Sequence, residues 1–166
     1  MNLDVKLSAT QLAILTLLRS EDIKGNKYSP IPGKTHIVKE LFAIRKTDLG
    51  ADLLSELKFE PDNYGPFDET VFAALDGLRD AGYIAFDSSS TNYVKISLTD
   101  KGKESSDMFW YILKDDIKSL FKYVKINYNH LSSEKLLERI YSAYPEMTVN
   151  SISKVAKKYR PNESVL

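Results

Sequence analysis

The 166-residue sequence contains no cysteine, which excludes disulfide bonds, thiolate zinc sites and thiol nucleophiles. It also has no excess of one charge, because 23 Lys and Arg residues balance 23 Asp and Glu residues. Apolar runs are too short and too interrupted to span a bilayer. Residues 1–6 lack the cationic head and apolar run of a secretion signal, so we expect a cytoplasmic protein without membrane contact.

Patterns typical of catalytic and metal sites are missing as well. Gly33-Lys34-Thr35 resembles the end of a phosphate-binding loop, but that motif needs a glycine five residues earlier, where Tyr28 stands. His36 and His130, the only histidines, lack the spacing of metal ligands. Asp115-Asp116 would point about 100° apart on a helix, so the two do not form an acid–base pair. The sequence predicts no enzymatic activity, metal ion or cofactor.

Charge is segregated along the chain, which matters more than its sum. Residues 24–46 contain six cations and one acid, a net charge of +5. Residues 48–80 contain nine acids and two bases, a net charge of −7. Residues 154–160 add four cations, Lys154, Lys157, Lys158 and Arg160. These runs are either ordinary solvated faces or the basic and acidic sides of a bipolar molecule.

Apolar spacing predicts two helices in the first third of the chain, over residues 8–20 and 34–46. The inner side of the second helix is predicted to carry Ile37, Val38, Leu41, Phe42 and Ile44. Residues 47–59 are ambiguous, because their leucines favour a helix while Gly50 disfavours one.

The best-marked helix begins after Asp68, an N-cap whose carboxylate accepts from the first amides of the helix. Phe67 before the cap and Phe72 within the helix have the spacing of a hydrophobic staple. Gly82 ends the helix. Residues 83–86 and 92–98 then alternate like two strands around a polar tip at 87–91.

The last third of the chain is predicted to be helical. A long helix capped by Thr99 reaches about Tyr123 with one broad apolar stripe. Another runs from Ser132 or Ser133 to Tyr144, and a last helix spans 151–159. The fold class is therefore mostly α with a small β-hairpin.

The stretch from Leu75 to Ile84, followed by Leu98-Thr99-Asp100-Lys101-Gly102, resembles the third helix and wing of PadR and MarR regulators. The resemblance implies a winged helix-turn-helix domain over residues 1–100 and a C-terminal helical extension over 101–166. Ile31-Pro32-Gly33-Lys34-Thr35, Tyr64-Gly65-Pro66-Phe67 and Tyr144 to Ser151 resemble more closely the YwgA-like and Panacea (SocA-type antitoxin) proteins. That resemblance implies gene regulation or toxin neutralisation.

The first function that the sequence leaves open is duplex DNA binding, which a winged helix suggests by analogy. The residues expected to contact phosphates are Lys27, Lys34, Lys39, Arg45, Lys46 and Lys95, assisted by the four C-terminal cations. Against this function, the third helix is predicted to expose mainly acids, which DNA repels.

The second open function is an adaptor that docks a basic protein, such as a toxin, on this acidic helix. Glu69, Asp76 and Asp80 are the residues expected to bind that partner, together with Trp110. Phe109, Trp110 and Tyr111 are consecutive, so at least one of them points away from the core. We therefore also expect a homodimer through the long helix that carries these three aromatics, as in PadR-like accessory helices.

Overall fold

The computed structural model describes residues 6–88 and 94–160. Its elements are α1 (Ala9–Arg19), β1 (Ile31–Pro32), α2 (Lys34–Arg45), α3 (Asp48–Leu53), β2 (Glu60–Asp62), β3 (Gly65–Phe67), α4 (Glu69–Asp80), β4 (Ile84–Asp87), β5 (Lys95–Leu98), α5 (Asp100–Ile112), α6 (Asp115–Tyr128), α7 (Ser133–Ala143), a 3₁₀ turn (Pro145–Thr148) and α8 (Ala156–Tyr159). The prediction of a mostly helical chain with a small antiparallel sheet is confirmed. Within the described residues, no helix is long and apolar enough to cross a membrane.

The main sheet is antiparallel and has the strand order β1-β5-β4. Ile31 pairs with Ile96, and Ile84 pairs with Leu98, so the strand period directs these apolar side chains to the core. β4 and β5 are the predicted hairpin, but most of its polar tip lies outside the described residues. β2 and β3 form a separate hairpin that the sequence did not predict.

The core lies between α1, α2, α4 and α6. α1 is the central helix of this core. Ser8 and Gln11 form a reciprocal capping box at its start, and nearly all its later residues are buried. The predicted inner side of α2 is buried throughout. Val71, Leu75 and Leu78 anchor α4 to the same core.

A second apolar cluster lies on another side of α2. Phe42 packs there with α7, the 3₁₀ turn and α8. Its ring makes T-shaped, edge-to-face contacts with those of Phe59 and Tyr144, at 5.4 and 5.1 Å between centroids. α2 is therefore covered on two sides, which explains why a helix with several charged residues is almost fully buried.

The predicted single helix from Thr99 to Tyr123 is wrong, because it is broken after Ile112. Leu113 and Lys114 are extended, with ψ angles of 147° and 151°, and the first turn of α6 carries Asp115 and Asp116, which suit a helix N-terminus. The break turns α6 so that it packs against both α1 and α2. The last helix is also shorter than predicted, since α8 starts only at Ala156.

Candidate nucleic-acid interface

α4 begins as the sequence predicts, with Asp68 as its N-cap. The Asp68 carboxylate accepts from the Thr70 amide at 2.8 Å and from the Lys58 amide at 2.6 Å. The Phe67 and Phe72 rings make a T-shaped, edge-to-face contact at 5.1 Å between centroids, which confirms the staple. With its apolar side on the core, α4 exposes Glu69, Asp80 and Arg79 and half-exposes Asp76.

The acidic charge on α4 is partly paired. The Arg79 guanidinium lies 3.6 Å from the Asp76 carboxylate and 3.4 Å from that of Asp80. All three side chains are 45–73% exposed, so these ion pairs are worth little in stability. They do reduce the negative charge that this helix presents.

Two cations meet where α4 approaches the β4–β5 hairpin. The Lys34 ammonium lies 4.9 Å from the centre of the Phe86 ring, and the Arg79 guanidinium lies 5.0 Å from it. Lys34 comes from the first position of α2, and Phe86 lies on β4. The tertiary structure therefore brings a basic residue from the predicted cationic segment beside the acidic helix.

The other predicted phosphate contacts come from several different elements of the fold. Arg45 and Lys46 are at the far end of α2 from Lys34, about 17 Å along its axis. Lys46 lies there over the rings of Phe42 and Tyr144. Lys27 is exposed in the loop between α1 and β1.

Lys95 and the C-terminal cations also differ in their placement. Lys95 lies on β5 opposite Asp87 and Pro32, and is half-buried. Lys154, Lys157, Lys158 and Arg160 are exposed around α8, which packs against α7 on the second apolar cluster.

Lys39 requires a correction, because it is not on the surface. Its exposed fraction is only 6%, and its ammonium donates to the Thr35 carbonyl at 3.4 Å. Burial lowers the pKa of Lys39 to about 8. A duplex phosphate does not reach this group, so the predicted contact is wrong.

Trp110 is not the exposed member of the aromatic triplet. The Arg19 guanidinium lies 4.6 Å from its ring, and Arg19 in turn is held by the Asp107 carboxylate at 3.0 Å. Tyr111 and the neighbouring Ile112 are instead 85% and 76% exposed, at the end of α5. The inference that one aromatic of the triplet points outward is confirmed, but the residue is Tyr111.

A buried polar cluster that sequence reasoning missed lies between α1, α2 and α6. The Lys125 ammonium, fully buried, donates to the carbonyls of Leu17, Leu18 and Ser29 at 2.9, 3.2 and 2.9 Å. Glu40 is fully buried too, and neither of its carboxyl oxygens has a hydrogen-bond partner among the described residues. The sequence did carry one indication that Lys125 is buried: it lies one helical turn after Phe121, on the apolar stripe of α6.

Burial perturbs the pKa values in this cluster. It raises the pKa of Glu40 to about 8, although the charge of Lys125 acts in the opposite direction. It lowers the pKa of Lys125 to about 8 and that of His36 to about 4. The His36 ring nitrogen Nε2 lies 3.8 Å from the Glu40 carboxylate and 3.0 Å from the Tyr128 carbonyl.

We predict that the titration of Glu40 lowers the free energy of unfolding by about 1–2 kcal/mol between pH 6.5 and pH 8, measured as the difference between the wild type and a variant that lacks this carboxyl group. Unfolded Glu40 loses its proton near pH 4.5 whereas the folded protein keeps it to about 8, so stability declines as pH rises through this window. The depressed pKa of His36 offsets the decline mainly below pH 7, and those of Lys39 and Lys125 offset part of it from about pH 7.5 and reverse it above pH 8, so the wild type alone shows a smaller net change. Urea denaturation at half-unit steps of pH measures the profile.

Glu40→Gln is the matched variant, because it keeps the shape of the side chain and removes the titration. The free energy of unfolding of this variant should not decline between pH 6.5 and 8, and the wild type should lose about 1–2 kcal/mol relative to it. If the variant shows the same decline as the wild type, Glu40 is not its source.

No protein-family model matches this sequence, and no curated protein matches it. The resemblances to PadR and MarR regulators and to YwgA-like and Panacea proteins therefore stay predictions.

Proposed function

We propose that this chain is a non-enzymatic, cytoplasmic winged-helix regulator that binds duplex DNA with α4 and the β4–β5 hairpin. The observation that supports it most is the strand order β1-β5-β4, with α1, α2 and α4 preceding the hairpin. A winged helix has this arrangement of three helices and a two-stranded wing completed by a short strand after its first helix. In such domains the third helix enters the major groove.

One feature departs from a simple helix-turn-helix. About three or four residues join the two helices of that motif, whereas here α3 and the β2–β3 hairpin separate α2 from α4. α4 nevertheless packs on α1 and is followed directly by β4, so its outer face stays available beside the wing.

The cations beside α4 support the same function. Lys34 and Arg79 lie together on Phe86, and the Lys101 ammonium donates to the Ala81 carbonyl at 2.7 Å, just after α4. These three residues flank the helix that would lie in the groove. Lysine and arginine in such positions neutralise backbone phosphates and so provide affinity independent of sequence.

The Lys34→Gln variant is expected to bind duplex DNA about tenfold more weakly at low salt. The slope of log affinity against log salt should become shallower by about 0.9, because one phosphate contact is lost. Fluorescence anisotropy with a labelled duplex over a salt series measures both quantities.

Lys46→Gln is the control for that experiment. Lys46 also lies over two aromatic rings but at the opposite end of α2, so its loss should leave both quantities unchanged. Equal effects of the two variants would mean that α4 and the wing are not the interface. Absence of salt-sensitive binding by the wild type would remove the DNA function altogether.

The alternative is an adaptor that docks a basic protein on α4. The exposed acids Glu69, Asp76 and Asp80 favour this function. The cation that α4 itself contributes is Arg79, so the helix has a net negative charge. The two functions make opposite predictions for one variant. Asp76→Asn combined with Asp80→Asn should strengthen DNA binding several-fold if DNA is the ligand, because repulsion is reduced.

If α4 docks a basic protein, the same double variant should lose its partner in co-purification and leave DNA binding unchanged. A variant that keeps its partner and its DNA affinity contradicts both functions for this face.

We also propose that the regulator is a homodimer, as the sequence suggested. The exposed Tyr111 and Ile112 at the end of α5 support this, because large apolar side chains in contact with water favour association. Of the aromatic triplet, Tyr111 is therefore the residue expected at the dimer contact, together with Ile112.

A further inference from the structure

Lys39 is a buried cation without a counter-charge. Among residues 6–88 and 94–160, no carboxylate oxygen lies within 4.0 Å of its ammonium. Its hydrogen bond to the Thr35 carbonyl is long at 3.4 Å, and its ammonium has no other protein acceptor among the described residues. Burying an ammonium group in this state is costly, and proteins rarely do so unless an anion accompanies it.

The Lys39 side chain lies on the wall of a cavity of about 540 Å³, between α2, the β2–β3 hairpin and the first turn of α7. Together with Thr35 and Tyr64 it also lines a smaller neighbouring cavity of about 230 Å³. The larger cavity lies within the size range of small-molecule sites. At 6% exposure Lys39 is out of reach of a duplex backbone, so only a small ligand can approach it.

The rest of the wall combines apolar side chains, Leu137 and Val155, with several hydrogen-bond donors. Lys154 adds a second ammonium group, and Ser133, Ser153 and Tyr64 add hydroxyl groups. Ser133 is the first residue of α7, an 11-residue helix in which the Ser132 hydroxyl caps the Lys135 amide and the first amides have no carbonyl partner within the helix. Glu134 is the one acid that lines this cavity.

We propose that this cavity binds a phosphate group, either free or as the monoester of a small molecule, with Lys39 as its buried counter-charge. A phosphate dianion matches two ammonium groups better than a single-charged ion does, and its oxygens accept from hydroxyl and amide donors. The site is separate from α4 and the wing, so it does not rest on the proposed DNA binding. Burial keeps the pKa of Lys39 low in the free protein, and a bound anion would restore its charge.

The test is the thermal unfolding midpoint of the full chain in increasing inorganic phosphate, with sodium chloride added to hold the ionic strength constant. The wild type should show a saturable rise in its midpoint. Lys39→Met should show no rise, and Lys154→Met a smaller one. A lower half-saturating concentration of ribose 5-phosphate than of inorganic phosphate would assign the monoester, whereas equal values would assign free phosphate.

Lys39→Met also provides its own folding control. Without phosphate it should melt no lower than the wild type, because an apolar side chain of similar length replaces an unpaired buried charge. Lys157→Met, which changes an exposed lysine of α8 outside the cavity, should respond to phosphate as the wild type does. Lack of response by the wild type, or an equal response by Lys39→Met, would overturn the proposal.

Discussion

Replacing Lys125 by methionine is expected to lower the free energy of unfolding by about 3 kcal/mol at pH 7, because its hydrogen bonds to buried carbonyls are lost. The ammonium group of Lys125 donates to the carbonyls of Leu17, Leu18 and Ser29, at the end of α1 and in the loop that follows it. Methionine fills a similar volume but donates nothing, so buried carbonyls lose their partner. The charge that opposes the raised pKa of Glu40 is lost as well.

Lys122→Met on the same helix is the matched control. Its ammonium pairs with the Glu21 carboxylate at 3.4 Å, with side chains 46% and 34% exposed. Such surface pairs contribute less than about 1 kcal/mol. Urea denaturation of both variants gives the comparison. A loss below about 1 kcal/mol for Lys125→Met would show that water or another group replaces the ammonium.

The second large effect is expected for Gly50→Ala, which should destabilise the protein by about 3 kcal/mol. A methyl group at Gly50 would lie 1.7 Å from the Ile44 carbonyl oxygen and 2.8 Å from the Thr47 hydroxyl. Neither atom can move away easily. The Ile44 oxygen belongs to the backbone, and the Thr47 hydroxyl caps α3 by accepting from the Gly50 amide at 2.9 Å. The clash would push α3 away from the end of α2.

Gly77→Ala in α4 is the control, since both glycines are helical. A methyl group at Gly77 would meet only the end of the Gln11 side chain, at 2.8 Å, and that side chain can move. Alanine also has about 1 kcal/mol more helix propensity than glycine, so this variant should be neutral or more stable. If Gly50→Ala were equally harmless, α3 would not pack as described.

Local signals predicted the helices well where caps and apolar spacing agreed. The Asp68 cap, the Phe67–Phe72 staple and the inner side of α2 are all in the structure as predicted. The break at Leu113 was not predictable from the stripe, because apolar spacing continues across it into α6. Residues 47–59 stayed ambiguous for a related reason. Gly50 disfavours a helix locally, and the need for a glycine appears only in the structure, where the Ile44 carbonyl lies too close to leave room for a side chain.

The candidate site depended still more on tertiary structure. The sequence identified the cations of residues 24–46 but not their surroundings, and packing divided them among three places. Lys34 joined Arg79 beside α4, Lys46 covered Phe42, and Lys39 was buried. Trp110 likewise lost its expected exposure because Arg19 lies over its ring.

By itself the sequence determined the absence of thiol chemistry, the mostly helical class and the entry and burial of α4, since each follows from composition or from neighbours within about one helical turn. Only the tertiary structure decided which charged groups face water. Whether a lysine is exposed or buried depends on elements far away in the chain, as Lys125 depends on Leu17 and Ser29.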